Sequence, residues 1–136
     1  MIRKTELPTT GLDQILLNVN LQCVYMHIAE QKDKWECSSH IHDYLEIGYI
    51  YKGTGQYQID NDSYVAEMGD LFVIPSKVSH YEINNPDSPF QIVFLMIKFN
   101  GVDSDLFYDI ILSLQGKIQI DNKRKVKELY DNIMIL

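Results

Sequence analysis

The sequence predicts an all-β domain, a barrel or a sandwich, followed by two helices. Runs of alternating apolar and polar residues recur up to residue 99, and turn-forming residues separate them. After Gly101 the apolar residues recur every three or four positions, which is the spacing of a helix. An order in which strands precede helices is typical of a β domain with an appended helical tail.

The individual strands follow from residue type and from the turns between them. Residues 15–28 are rich in β-branched and aromatic side chains and are expected to form one or two strands. Further strands are expected at 45–53, 56–60, 63–70, 71–75, 80–84 and 90–99, with turns at 52–55, Asn61-Asp62 and Gly69-Asp70.

The tail is predicted to contain a helix, a short strand and a second helix. The first helix lies within 102–116, with Asp103 or Ser104 as its cap, and residues 117–120 form the short strand. The second helix begins after Asn122, which is its expected cap. Its apolar stripe consists of Val126, Leu129, Tyr130 and Ile133.

The composition limits the classes of function. The chain has 136 residues, of which 46% are apolar, and this suits one domain with a buried core. A net charge of −7 repels phosphate groups, so the chain by itself is a poor candidate for binding nucleic acid or anionic lipid. Its two cysteines lack CxxC spacing, and no apolar run is long enough for a signal peptide or a membrane span. We therefore expect a cytoplasmic protein that does not contact membranes.

Three histidines and one glutamate form the candidate site. His40, His42 and Glu46 have even numbers and project to one side if the strand that carries them is regular. His80 begins a later strand, and its imidazole completes the set if the two strands are neighbours. Three imidazoles and one carboxylate suit a divalent first-row metal such as Fe(II), Mn, Ni or Zn, and they leave coordination positions open for a small molecule.

Two more residues share the parity of Glu46. Tyr44 and Gly48 are expected to face the same side, where Gly48 leaves room for a ligand and Tyr44 offers a ring and a hydroxyl. The whole set also fits a second interpretation, in which these residues form the polar floor of a ligand pocket that holds no metal.

The spacing of these residues resembles the two sequence motifs of the cupin superfamily. The positions that match are His40, His42, Glu46 and Gly53 in the first motif and Gly69, Pro75, His80 and Asn84 in the second. Two motif glycines are absent, since Lys34 and Lys77 occupy their positions. The resemblance implies a double-stranded β-helix, which is the jelly-roll barrel of cupins, at 1–101 and a helical tail at 102–136.

A longer stretch, residues 20–136, resembles the sensor half of AraC-type transcription regulators. The resemblance rests on HIHDYLEI at 40–47, GDLFVIP at 69–75 and VFLMIKFN at 93–100 with helices after it. It implies an effector-sensing and dimerisation domain, not an enzyme, that binds DNA only through a C-terminal helix-turn-helix domain missing from these residues. We therefore expect the chain to be cut from a longer protein.

The same resemblance assigns roles to the candidate residues. A small effector, such as a sugar or another polar metabolite, is expected to contact His40, His42, Tyr44, Glu46, Gly48 and His80. A homodimer is expected to form through the apolar stripe of the last helix, unless that stripe packs on its own barrel. Two other functions stay open: a stand-alone metal-dependent cupin enzyme of the dioxygenase or isomerase type, and a dimerisation module with a filled barrel.

Overall fold

The computed structural model describes residues 2–3, 17–30 and 39–135, and within these residues the chain forms strands and two helices. The strands are β1 (Ile2–Arg3), β2 (Asn20–Glu30), β3 (Leu45–Lys52), β4 (Thr54–Ile59), β5 (Asp62–Glu67), β6 (Leu71–Ile74), β7 (His80–Asn84), β8 (Gln91–Asn100) and β9 (Gly116–Ile118). The helices are α1 (Ser104–Ser113) and α2 (Lys123–Met134). Neither described helix has the length and apolarity that a membrane span requires.

The described strands assemble into two sheets. The larger sheet has the order β1-β9-β6-β3-β8-β2, and the smaller sheet has the order β5-β4-β7. Neighbouring strands run antiparallel, apart from β1 and β9, which run parallel. Two antiparallel sheets with a shared core form a jelly-roll barrel, so the predicted all-β fold class with C-terminal helices is confirmed.

The main core lies between the inner faces of the two sheets. Alternation produces it: in β5, for example, Tyr64 and Ala66 are buried while Val65 between them is 61% exposed. The members of this core are Ile50, Tyr57, Ile59, Tyr64, Ala66, Phe72, Ile74, Phe90, Ile92 and Phe94. Five of these ten residues come from β3, β6 and β8 of the larger sheet, so one apolar interior holds both sheets together.

The outer face of the larger sheet is covered by the two helices. Phe107 and Ile111 of α1 pack against Leu45 and Val73. Tyr130 of α2 stacks on Tyr49 of β3. The covered part of the sheet is therefore apolar on both faces, and this explains why β6 and β8 are almost continuous apolar runs.

β2, at one edge of the larger sheet, is exposed along almost its whole length. β2 pairs with β8 over its whole length, with a bulge between Cys23 and Tyr25. Within the described part of the chain, no strand pairs with its other edge. Large apolar side chains are exposed along it, namely Leu21, Val24, Tyr25, Met26 and Ile28.

Most boundaries agree with the sequence prediction, and the differences have local causes. The strand expected at 15–28 begins at Asn20 and continues to Glu30, while residues 15–16 lie outside the described residues. The β4–β5 turn occupies residues 60–61 rather than Asn61-Asp62, because Asp60 itself adopts a φ of +53°. The predicted cap of α2 is confirmed, since the Asn122 side chain accepts a hydrogen bond of 3.0 Å from the Lys125 amide.

Candidate metal centre

Three imidazole rings meet at one end of the barrel interior. The ring centroids of His40 and His80 are 4.2 Å apart, those of His40 and His42 are 4.7 Å apart, and those of His42 and His80 are 5.1 Å apart. One ring nitrogen from each lies within 4.8 Å of the other two. The histidines that the sequence analysis grouped therefore do lie together.

The backbone fixes two of these histidines to each other. His40 and His80 form an antiparallel bridge in which each amide donates to the other carbonyl at 3.1 Å. The chain then bends at residues 43–44, so β3 begins only at Leu45. The bend interrupts the strand but does not separate the two side chains, since His42 Nε2 lies 3.6 Å from Glu46 Oε1.

A motif position that departs from the cupin pattern helps to place His42. Lys77 stands where the resembling motif has a glycine, and it adopts a φ of +64°. Its amide donates a hydrogen bond of 2.7 Å to the His42 carbonyl. The lysine thus keeps the left-handed conformation for which glycine is the usual residue.

Glu46 lies below the rings and is only 2% exposed. Its Oε1 is 3.6 Å from His42 Nε2, and its Oε2 is 3.2 Å from His80 Nε2. The Tyr57 hydroxyl also donates a hydrogen bond of 3.2 Å to Oε2. Burial of a carboxylate requires such partners, because an unpaired charge in an apolar interior is costly.

His80 presents one nitrogen to this cluster in a defined state. Its Nδ1 is 3.0 Å from the Val78 carbonyl, so Nδ1 carries the proton and donates it there. Its Nε2 is buried and makes no hydrogen bond to any described residue, although Glu46 is close. A histidine that binds a metal ion usually donates a hydrogen bond from one ring nitrogen and binds the ion with the other. His80 has this arrangement.

The protonation of the rings follows from their surroundings. Burial is the largest influence on His80 and lowers its pKa, but the Glu46 carboxylate and the Val78 carbonyl outweigh it, so the pKa of His80 is raised. For His42, burial is again the largest influence, and together with the nearby His80 and His40 it lowers the pKa despite Glu46. His42 is therefore neutral at pH 7 and can offer a lone pair to a metal ion.

A second buried carboxylate stands beside the cluster and was missed by the sequence analysis. Glu82 is 2% exposed, and its carboxylate, that of Glu46 and a ring nitrogen of His80 lie within 4.8 Å of one another. Burial raises the pKa of Glu82, and the charge of Glu46 raises it further. The available signal was parity, because His80, Glu82 and Asn84 occupy alternate positions of β7 and all three are buried.

Gly48 and Tyr44, the other two predicted pocket residues, occupy different settings. Gly48 faces the barrel interior, where a Cβ atom would lie 3.3 Å from the Tyr57 hydroxyl and 3.6 Å from the Phe94 ring. Tyr44 is half-buried, and its ring lies under Lys98 Nζ, 4.9 Å from it. Gly48 therefore keeps space next to the buried polar cluster, whereas the contact made by Tyr44 is with Lys98.

The apolar stripe on α2 mostly faces the chain's own barrel. Tyr130 stacks on Tyr49 with the ring centroids 4.0 Å apart and the planes at 6°. Val126 and Ile133 pack in the same cluster, whereas Leu129 is 57% exposed. Three of the four residues predicted at a dimer interface are thus used in packing α2 on the sheet, and Leu129 is the member that remains available to a partner.

The donor set fits a divalent metal ion. It offers three imidazoles and the Glu46 carboxylate at short mutual distances, and the buried Nε2 of His80 lacks a hydrogen-bond partner among the described residues. Imidazole and carboxylate are common ligands of Fe, Mn, Ni and Zn.

Comparisons with known proteins agree with this fold. The family model described as the cupin domain matches residues 26–97. Similar solved structures include a salicylate 1,2-dioxygenase from Pseudoaminobacter salicylatoxidans, with 14% identity and a TM-score of 0.50 over 62% of this chain and 26% of that chain. A conserved protein of unknown function from Streptococcus pyogenes has 16% identity and a TM-score of 0.50 over 72% of this chain and 79% of that chain.

A 7S globulin from Momordica charantia is also similar, with 24% identity and a TM-score of 0.49 over 56% of this chain. The chain spans about a quarter of the globulin and of the dioxygenase, covering 26% of each. A comparison with curated proteins finds no match.

Proposed function

Because the chain belongs to the cupin family, we propose that its barrel senses a small polar molecule at a divalent metal ion held by His40, His42, Glu46 and His80. In this proposal the chain is the effector-sensing and dimerisation domain of an AraC-type regulator. DNA binding belongs to a separate helix-turn-helix domain, in keeping with the net charge of −7. The motifs HIHDYLEI and GDLFVIP are the sequence features that favour this class of regulator.

The observation that carries the sensor proposal is the position of β3. Its inward side bears Glu46, and its outward side bears Tyr49 and Tyr51. Tyr49 stacks on Tyr130 of α2, and the Tyr51 hydroxyl donates a hydrogen bond of 2.5 Å to Asp131 of the same helix. One strand therefore connects the candidate site to the helix that leads out of the barrel.

Such a connection transmits a signal only if the effector binds two arrangements of the domain with different affinities. An effector that moves Glu46 strains β3 and changes the packing of the tyrosine pair under α2. The expected effect is a shift in how α2 lies on the sheet, which a following DNA-binding domain would sense.

The residues at the site have different roles in this proposal. The Val78 carbonyl orients the His80 ring, and the Tyr57 hydroxyl orients Glu46. Gly48 leaves space beside them, and Tyr44 lies further out under Lys98. A divalent ion bound by the four ligands would supply open coordination positions for carboxylate or hydroxyl oxygens of the effector.

Metal content and affinity of protein prepared without a histidine tag test the proposal. We expect the wild-type chain to bind about one divalent ion per barrel, and His42→Ala to weaken binding by more than the ~10–100-fold that loss of an outer-shell group costs. His42 suits this test because it is 31% exposed, so its truncation spares the core. His27→Ala is the matched control, since His27 is an exposed histidine of β2 that belongs to neither group of potential metal ligands.

Equal affinities of the wild type and His42→Ala would contradict the proposed site. With the ion bound, a set of sugars and small carboxylic acids is then screened by melting temperature, because a ligand that binds the folded state raises it. A compound that stabilises the wild type but not His42→Ala supports the sensor. Ion binding with no response to any compound argues against it.

A stand-alone metal-dependent enzyme is the second candidate, and the same four donors favour it equally. The reading frame that encodes the chain separates the two functions. Continuation past Leu136 into a basic, helical segment supports the regulator. Turnover of a compound by the ion-loaded chain, lost in His42→Ala, supports the enzyme.

A further inference from the structure

We infer that Glu82 is a fifth ligand of the same metal centre and that its carboxylate shifts the preference of the site toward Mn(II) and away from Ni(II). This inference rests on the metal site of the proposed function and adds to it a residue that lies outside both cupin motifs. The inference concerns which divalent ion the site binds most tightly.

The position of Glu82 follows from the pairing of β7 with β4. His80 and Glu82 are two residues apart on β7, so both side chains face the barrel interior. Across the sheet, Glu82 is the direct partner of Tyr57, and His80 is the partner of Ile59. Glu82 therefore stands beside the tyrosine that also contacts Glu46.

Two groups of donors overlap at this point. His40, His42 and His80 form one group, and Glu46, His80 and Glu82 form the other, each with its ligand atoms within 4.8 Å of one another. His80 belongs to both groups, and Glu46 also lies 3.6 Å from His42. An ion placed against the buried Nε2 of His80 thus has both carboxylates within reach.

The balance of charge favours a divalent ion there. Glu46 and Glu82 are each 2% exposed, and they share the hydroxyl of Tyr57 as a hydrogen-bond partner. A hydroxyl has one proton, so it donates to only one carboxylate at a time. No lysine or arginine among the described residues forms an ion pair with either group. An ion of charge +2 matches two buried carboxylates that no lysine or arginine of the described residues neutralises.

A second carboxylate changes which ions fit best. Carboxylate oxygens suit Mn(II), whereas imidazoles suit Ni(II), Zn and Cu. Removal of the charge and one oxygen donor at position 82 leaves a site dominated by three imidazoles. The affinity for Mn(II) should then fall more than the affinity for Ni(II).

The test compares Mn(II) and Ni(II) affinities, by calorimetric competition, of the full chain and two matched variants. We expect Glu82→Gln to weaken Mn(II) binding by about 10–100-fold, and Ni(II) binding by several-fold less, so that the ratio of the two affinities changes. The electron paramagnetic resonance spectrum of bound Mn(II) should change as well. Glu67→Gln is the control, because Glu67 is exposed on β5 and its substitution should alter neither affinity.

The outcomes separate this inference from the proposed function. If the wild type binds neither ion, the metal site itself is wrong and the inference falls with it. If the wild type binds both ions and Glu82→Gln binds each ion as tightly as the wild type does, only the inference is overturned. An equal loss of both affinities overturns it too, because that result indicates a residue that merely positions Glu46.

The folding of Glu82→Gln is checked by its circular dichroism without added ion. Should that variant fail to fold, Glu82→Asp replaces it, since aspartate keeps the charge but withdraws the oxygens from the ion. The same selective loss of Mn(II) affinity is expected, and unchanged affinities in Glu82→Asp would overturn the inference.

Discussion

Gly116 begins β9 at a position that leaves no space for a side chain. Its φ is +109°, and a Cβ atom there would lie 2.3 Å from the hydroxyl oxygen of Tyr64. Tyr64 is itself buried in the main core, so its ring cannot move away without disturbing other core residues. The glycine thus permits β9 to lie close against the barrel.

We predict that Gly116→Ala lowers the free energy of unfolding by about 2–4 kcal/mol, from backbone strain and from overpacking against Tyr64. Gly69→Ala is a matched control, because Gly69 has a φ of +93° but no atom within 4 Å of its would-be Cβ. That variant should cost about 1 kcal/mol, from strain alone. Urea denaturation measures both, and equal losses in the two variants would contradict the role given to Tyr64.

The candidate site could be predicted residue by residue only in part. His40, His42 and Glu46 share a parity that the sequence displays, and His80 follows from motif spacing. Parity along β7 indicates that Glu82 faces inward, but the proximity of Glu82 and Tyr57 to Glu46 depends on the pairing of β7 with β4. A pairing between strands distant in sequence is set by the whole fold, so local patterns do not reveal it.

At the scale of elements, α2 is held to the barrel through tyrosines. Tyr130 stacks on Tyr49 of β3, and burial raises the pKa of Tyr130 to about 12. An unfolded tyrosine loses its proton near pH 10. Because the folded pKa is the higher one, the stabilising contribution of Tyr130 is complete below about pH 10 and is lost as the pH rises toward 12.

We therefore predict that the free energy of unfolding falls between about pH 10 and 12 and that Tyr130→Phe reduces this fall by up to about 3 kcal/mol. Phenylalanine keeps the stacked ring but has no proton to lose. Denaturation in urea at pH 8, 10 and 11 gives the slope for each variant. Tyr25→Phe, at an exposed position of β2, is the control, and an identical slope in Tyr130→Phe and Tyr25→Phe would refute the prediction.

The elements themselves were largely predictable, whereas their order in the sheets was not. Alternation placed β3 to β8 within a few residues, and apolar periodicity placed both helices. The order β1-β9-β6-β3-β8-β2 needs contacts between distant segments, and no local pattern encodes it. The start of the first strand was placed too early, because apolar residues before Asn20 have the composition of a strand without forming one in residues 17–19.

For the whole molecule, β2 is the feature with consequences for assembly. Among the strands that the structure describes, it is an edge strand of 11 residues with exposed apolar side chains. Its sequence contains neither lysine nor proline, the residues that commonly protect edges. Such an edge is suited to pairing with the same strand of a second chain. The homodimer expected from the sequence can thus form through β2, through the exposed Leu129 of α2, or through both.

We predict that Val24→Lys lowers the tendency of the chain to self-associate, because it adds a charge at the bulge of the exposed edge. Val24 is 40% exposed, so its substitution should leave the melting temperature nearly unchanged. Analytical ultracentrifugation over a concentration series measures the change. Val102→Lys, at a 91% exposed position outside the strands, is the control.

The same measurement on Leu129→Lys shows whether α2 or β2 forms the contact between the two chains. Loss of association in Leu129→Lys alone would show that α2 forms the interface and that β2 does not. Loss in Val24→Lys alone would assign it to β2.

The reciprocal backbone hydrogen bonds between His40 and His80 also give experimental access to the site. Both amide protons are protected as long as the segment around His40 stays attached to β7, and each exchanges with solvent only when that attachment opens. Deuterium uptake at these two amides therefore measures how often the segment around His40 detaches from β7. The measurement requires neither a bound ion nor a known effector, so it can be made on the chain as purified.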